Sequence, residues 1–127
     1  MMSPLLNIRD EQMKVFEDLL LRDWLVRFLT SSYPKQTAAM GVADLYDFVA
    51  GVLQASRARS IDEATAIRKY LHVTFLLGHG FESKPEFAWA RKILDDSRFR
   101  TDLCRLRVLE DEAIRYLIKS ERAGARS

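Results

Sequence analysis

The sequence has few of the residues that build cross-links and metal sites. It contains one cysteine and two histidines in 127 residues, which excludes an internal disulfide and a multi-cysteine zinc site. The one cysteine, Cys104, stands among leucines, so we expect a buried structural thiol rather than a nucleophile. With three prolines and five glycines, the chain also has little material for long linkers. We therefore expect an ordered protein with no metal and no cofactor.

Long hydrophobic runs and an excess of one charge are also missing. The longest nearly apolar stretch, Tyr70 to Gly78, is too short to cross a bilayer. The first residues lack the basic segment and apolar run of a signal peptide. We expect a cytoplasmic protein that does not bind membranes. The 20 basic and 18 acidic side chains give a net charge of +2, a balance that argues against nucleic-acid binding.

What the sequence does contain is apolar residues at helical spacing. The composition, 48% hydrophobic and 30% charged, is typical of globular proteins, and the length suits one domain. No alternating pattern of β-branched residues indicates a strand. We predict an all-α fold, a compact bundle of about five to six helices around an apolar central helix. The predicted domain covers residues 9–120, between an N-terminal extension (1–8) and a frayed tail (121–127).

The first predicted helix runs from Arg9 to Ser32. Asn7 is its expected N-cap, and Pro34 ends it because the residue before proline avoids the α region. The helix is apolar on more than one side, so it either packs centrally or offers a second face to a partner. The stripe expected to be buried comprises Met13, Phe16, Leu20, Trp24 and Phe28, with Val15, Leu19, Leu25 and Val26 outside it.

Capping residues mark the starts of later helices. Ser60 and Glu63 match a capping box, and the helix that follows is apolar on all sides, which makes it the candidate for the central helix. Ser83 and Glu86 match a second box, and Thr101 can cap the last helix. The other predicted elements are a short helical turn ending at Met40, a helix over 42–57, the central helix ending at Gly78, and a helix over 85–96.

Candidate catalytic groups are scarce. His79 lies between two glycines, where it can be accessible, but a catalytic base also needs a nucleophile and an orienting group. His72 has no carboxylate four residues away on either side, so we interpret it as a polar group at the edge of the core. Neighbouring carboxylates on a helix diverge by about 100° and do not face each other across a cleft. We predict no catalytic residue, and a protein that is not an enzyme.

Several short stretches stand out when they are taken in order. They are Ile8-Arg9-x-Glu11-Gln12-Met13-x-x-Phe16, Arg27-x-Leu29, Tyr33-Pro34, Met40-Gly41, Tyr70-Leu71, Phe75-x-x-Gly78, Phe81-x-x-x-Pro85 and Trp89-Ala90-x-x-Ile93-Leu94. Together they resemble a family of small all-helical bacterial proteins, whose genes lie beside type VI secretion spike, adaptor and effector genes. The resemblance covers residues 8–117 and departs from the family in two places. Arg59-Ser60-Ile61 stands where members have Tyr-Gly-Ile, and Glu82 and Ala88 replace an Asp and a Pro.

The resemblance implies an accessory protein, a chaperone or co-adaptor that helps a secreted effector or its adaptor reach the secretion spike. The alternative is an immunity protein that binds and neutralises a cognate toxin. We favour the accessory role because immunity proteins often display a strong charge complement, and this chain is nearly neutral. More remote alternatives are a small enzyme built around His79 and a nucleic-acid-binding module. The sequence leaves open whether the protein forms homo-oligomers.

The predicted partner-binding surface combines two features. One is a polar ridge on the first helix, which is otherwise unusually apolar. The other is the loop from Gly78 to Pro85, the only long irregular connection that the pattern predicts. The predicted contact residues are Lys14, Asp18, Arg22, His79, Phe81 and Glu82.

Overall fold

The computed structural model of the protein describes the backbone of residues 4–126 and the side chains of residues 12–124. Residues 4–126 contain six α-helices and no strand, which confirms the predicted all-α class and the number of helices. Two short 3₁₀ helices, Phe81–Ser83 and Pro85–Phe87, connect the fourth helix to the fifth. The α-helices are α1 (Pro4–Ser32), α2 (Pro34–Met40), α3 (Val42–Ala58), α4 (Ala64–Leu77), α5 (Ala88–Leu94) and α6 (Asp102–Arg126).

Both terminal helices extend further than we predicted. Helix α1 begins at Pro4, so Asn7 lies inside the helix and is not its N-cap. Its end at Ser32 is the one predicted from Pro34. Helix α6 continues to Arg126, so the backbone that we expected to fray after residue 120 is helical. The remaining residues of the predicted extension and tail, 1–3 and 127, lie outside the described residues.

Ser60 ends α3 and does not begin α4. Its φ of 59° is the only positive φ of a non-glycine residue in the part of the chain that the structure describes. The Ser60 N–H donates to the Arg57 carbonyl at 2.9 Å, and the Ile61 N–H donates to the Ser56 carbonyl at 2.8 Å. These two bonds form a Schellman C-cap, with Ser60 at the position that glycine usually occupies. The predicted box at Ser60 is therefore wrong.

Other side chains cap the later helices. Glu63 is the N-cap of α4, where its carboxylate accepts from the Thr65 N–H at 3.2 Å. The box predicted at Ser83 is also wrong, because Ser83 belongs to a 3₁₀ helix and the next one has no side-chain cap. The prediction for α6 is confirmed, since the Cys104 N–H donates to Thr101 Oγ1 at 3.2 Å.

The chain divides into two compact units, residues 1–51 and 52–127, with the boundary inside α3. In the first unit, α1 packs against α2. Among the described side chains of α1, those of residues 12–32, the buried ones are Leu25, Val26 and Leu29. Four residues of the stripe that we expected to be buried are exposed. The prediction of that stripe is wrong. The physical reason is that a helix with apolar residues all round carries no periodicity that selects one face.

The core of the second unit forms around α4. Seven of the 14 residues of α4 are buried, and it packs against α6, which also holds α5. The apolar surface of α4 correctly predicted that it is the most buried helix of this unit. The buried apolar residues of the unit are Val52, Leu53, Ile61, Ala66, Ile67, Tyr70, Leu71, Val73, Leu77, Phe81, Phe87, Ala90, Leu94, Leu106, Leu109 and Ala113.

Cys104 is exposed, so the prediction of a buried thiol is wrong. The buried face of α6 is formed by Leu106, Leu109 and Ala113. Cys104 precedes Leu106 by two residues, which on an α-helix places it about 200° away, on the opposite side. Neighbouring leucines in the sequence therefore did not indicate burial of the thiol.

Candidate functional site

The predicted polar ridge of α1 contributes less free surface than expected. Lys14 is exposed, but Asp18 and Arg22 are half-buried. The Arg22 guanidinium lies 5.1 Å from the centre of the Tyr46 ring, within cation–π distance. The Tyr46 hydroxyl donates to Asp23 of α1 at 3.4 Å. Arg22 thus helps to hold α1 against α3 within the first unit, and Lys14 is the member of the ridge most open to a partner.

A different face of α1 is exposed and apolar. Met13 is 53% exposed, Phe16 56%, Leu20 50% and Trp24 36%. At 100° per residue these four side chains share one side of the helix, roughly opposite the buried Leu29. We call this set the apolar ridge. It extends over 12 residues, or about 16 Å along the helix axis, and exposed apolar patches of this kind mark interaction surfaces.

Two further apolar side chains of α1 are exposed outside the apolar ridge, Val15 at 59% and Leu19 at 42%. At 100° per residue, Leu19 lies about 60° from Phe16, whereas Val15 lies on the side of the helix that carries the buried Val26. The sequence carried a signal for this surface, because the helix has more apolar residues than one buried stripe needs. Sequence reasoning placed the four residues of the apolar ridge in the buried stripe and the buried Leu25 and Val26 outside it.

The loop after α4 is held in place by Phe81. Phe81 is completely buried, and its ring centre lies 6.1 Å from that of Tyr70. Phe81 was predicted to contact a partner, but its ring belongs to the core of the second unit and is not presented at the surface. His79 is exposed, and the side chain of Glu82 is 17% exposed. Only these two predicted loop residues remain accessible.

Glu82 joins a polar cluster beside the loop. The Tyr70 hydroxyl donates to Glu82 Oε1, and the same oxygen lies 3.8 Å from Arg59 Nε. Arg59 also reaches Asp95, with its Nη1 atom 3.4 Å from Oδ1. Burial, and then the neighbouring Glu82, raise the pKa of Tyr70 well above its usual value. The Tyr70 phenol therefore stays protonated and remains a hydrogen-bond donor to Glu82.

A cavity of about 150 Å³ opens next to this cluster. We call it the loop pocket. Sequence reasoning found the loop but missed the pocket, because its walls come from three segments that are distant in sequence. The residues that line it are Val52, Ala55, Tyr70, Thr74, His79, Gly80 and Glu82.

A second polar cluster connects α4 to α6. His72 Nδ1 lies 2.7 Å from Glu110 Oε2, and Lys69 Nζ lies 2.9 Å from Glu110 Oε1. The hydrogen bond from His72, together with Lys69, lowers the pKa of Glu110 from 4.5 to about 2 against the opposing effect of burial. His72 lies at the edge of the core, as predicted. Its carboxylate partner was not visible in the sequence because Glu110 is 38 residues away.

Three aromatic rings fix α5 on α6. The Tyr116 ring centre lies 5.4 Å from that of Phe87 and 5.6 Å from that of Trp89. Phe87 and Trp89 meet edge to face at 6.3 Å. Such pairs contribute about 0.5–1.5 kcal/mol each beyond the area they bury. We interpret this cluster as structural.

Comparison with known proteins gives no relative. No family model, no curated protein and no solved structure matches the chain. The resemblance to proteins encoded beside type VI secretion genes therefore stays a prediction. Among the described side chains, no group of three or more histidine, cysteine or carboxylate residues could hold a metal ion. No described helix is long and apolar enough to cross a membrane.

Proposed function

We propose that the protein is a non-catalytic accessory protein, a chaperone or co-adaptor, that binds a type VI secretion effector or the adaptor of that effector. The observation that carries the binding function is the apolar ridge of α1. The biological setting comes from the sequence resemblance alone. The partner would cover the side of α1 that lies away from the core of the first unit.

The size of the apolar ridge fits this role. Side chains of this kind bury roughly 150–250 Å² each when fully covered, so four that are about half exposed offer on the order of 400 Å². At about 25 cal/mol per Å² this corresponds to a gross gain of roughly 10 kcal/mol. Association costs about 4–15 kcal/mol. The ridge therefore supports modest affinity by itself, and burial of the neighbouring Leu19 would strengthen the interface.

The two histidines are consistent with a binding role. Among the described residues, no side chain forms a hydrogen bond that would orient the His79 imidazole as a base. The histidine–carboxylate pair that does form, His72 with Glu110, connects two helices. These observations support the proposal of binding, and they do not test whether the protein has an activity.

The test is co-purification with the products of the neighbouring genes. We expect the wild-type protein to retain an effector or an adaptor, and a Phe16→Asp, Leu20→Asp double variant to lose it. Lys35→Asp is the matched control, because it changes the net charge by the same amount at an exposed position of α2, outside both ridges of α1. Circular dichroism should show equal helix content in all three proteins. A wild-type protein that engages neither product would contradict the proposal.

Survival of cells distinguishes the accessory role from immunity. If the protein only assists delivery, cells that express the neighbouring toxin should die both with and without this protein. Survival that depends on the protein would favour the immunity alternative. In that case the apolar ridge would be the surface that contacts the toxin.

A further inference from the structure

The loop pocket combines apolar walls with one carboxylate. Helix α3 contributes Val52 and Ala55, and α4 contributes Tyr70 and the methyl-bearing Thr74. The hydroxyl of Thr74 already donates to the Tyr70 carbonyl at 2.8 Å, so that group is engaged within α4. Glu82 is the only charged carboxylate among the lining residues, which include no lysine or arginine. The lining therefore favours a ligand with a positive end and an apolar body.

Glu82 has an unused acceptor atom. Both of its contacts, with the Tyr70 hydroxyl and with Arg59, are made by Oε1. Within the part of the chain that the structure describes, Oε2 has no hydrogen-bond or ion-pair partner. The side chain is 17% exposed, so it is not sealed from the pocket. A cationic donor that reaches Oε2 would form a charge-assisted hydrogen bond, which is stronger than a bond between neutral groups.

Two neighbouring side chains hold Glu82 in position. Arg59 lies on the Oε1 side and is itself shared with Asp95, so two carboxylates face one guanidinium. The Tyr70 phenol holds the same Oε1 atom as a neutral donor. Oε2 is therefore the oxygen of Glu82 that a bound cation can reach without displacing Arg59 or Tyr70.

The volume limits the size of the ligand. A cavity of about 150 Å³ accommodates a small molecule of about six heavy atoms, and the loop pocket has about this volume. A nucleotide or a sugar phosphate is too large, and an anion would meet Glu82. A short alkyl chain that ends in an ammonium group matches both the volume and the charge.

We propose that the loop pocket binds a primary alkylammonium group, with the ammonium on Glu82 Oε2 and the alkyl chain against Val52 and Ala55. Two sources share this chemistry, a free small amine and the side chain of a lysine on another protein. The pocket lies within the second unit, whereas the apolar ridge belongs to the first unit. The proposal does not depend on the proposed function.

The test is a titration of the full chain followed by amide NMR, with n-butylammonium as the probe. We expect saturable shifts at Ala55, His79 and Gly80, with a dissociation constant in the millimolar range. Neutral n-butanol, which has nearly the same shape, should bind at least ten-fold more weakly, and butyrate should not bind. Glu82→Gln should weaken butylammonium at least ten-fold. Glu86→Gln, an exposed carboxylate in the same region, is the control and should leave binding unchanged.

A second variant keeps the test decisive if Glu82→Gln unfolds. Ala55→Leu leaves the carboxylate in place but fills the cavity, and it should abolish the shifts. Equal binding of n-butanol and n-butylammonium, or unchanged binding by either variant, would overturn the proposal. The lysine derivative Nα-acetyl-lysine amide separates the two sources. Binding of this derivative at least as tight as that of butylammonium would assign the pocket to a protein lysine, and binding of butylammonium alone would assign it to a free amine.

Discussion

Replacement of Ser60 by glycine should stabilise the protein. Ser60 has a φ of 59° at the C-cap of α3, and its backbone bonds to Arg57 hold it there. Its hydroxyl has no hydrogen-bond partner among the described residues. The side chain of Ser60 therefore costs energy in the folded protein without making a compensating contact.

The expected gain follows from two opposing terms. A residue with a Cβ atom pays about 1–2 kcal/mol to adopt the left-handed conformation. Glycine avoids this cost but loses about 0.5–1 kcal/mol through the greater freedom of the unfolded chain. We expect a net gain of about 0.5–1 kcal/mol for Ser60→Gly, or a rise in the melting temperature of roughly 2–6 °C. Ser60→Val should lose more than 1 kcal/mol, because a β-branched side chain is least tolerated at positive φ.

The free energy of unfolding, measured by urea denaturation, tests this reasoning. Ser60→Ala is the control, since it removes the hydroxyl but keeps the Cβ atom, and it should match the wild type. If Ser60→Gly is no more stable than Ser60→Ala, backbone strain at this position is not the cause, and the argument fails. If the unfolding free energy falls with urea concentration at the same slope in every variant, their unfolded states expose similar surface and the comparison is valid.

Three other predictions concern the second unit. Glu110→Gln should lower the free energy of unfolding by about 1–3 kcal/mol at neutral pH, because it weakens the charged bonds to His72 and Lys69. Folding lowers the pKa of Glu110 from 4.5 to about 2, so the ionised carboxylate stabilises the folded protein fully above pH 4.5. The difference in unfolding free energy between wild type and Glu110→Gln should therefore shrink as the pH falls from 4.5 towards 2. Phe81→Ala should cost about 3–5 kcal/mol in urea denaturation, with Phe81→Leu much milder, since the ring is fully buried. Thr101→Ala should lower the free energy of unfolding by about 1 kcal/mol, because it removes the N-cap of α6. Thr101→Asp should keep the stability of the wild type, because aspartate is also a good N-cap. Equal stability of the wild type and both variants would refute the role of the cap.

Local signals in the sequence predicted helix ends correctly where a single residue sets the end of the helix. Pro34 predicted the end of α1 at Ser32, and Thr101 predicted the start of α6. The period of three to four apolar residues predicted helices because it depends only on neighbours along the chain. Capping boxes failed at Ser60 and Ser83, since the same residues also fit the end of a preceding helix or a 3₁₀ turn.

The candidate sites depended on information that the sequence does not contain. The apolar ridge consists of residues such as Phe16 and Leu20, which a helical pattern assigns equally well to a core. The loop pocket needs Val52 and Glu82 side by side, 30 positions apart. The polar ridge and the loop were singled out for their composition, yet Arg22 and Phe81 turned out to be engaged in packing.

The sequence by itself determined that this protein is helical and where most of its helices begin and end, because those properties follow from backbone sterics, capping and short-range periodicity. Only the tertiary structure decided which face of α1 is covered, that Cys104 is exposed, and that Glu110 pairs with His72. Those outcomes depend on which surfaces meet when helices pack. For helices that are apolar on several sides, many pairings satisfy the same pattern, and packing selects one of them.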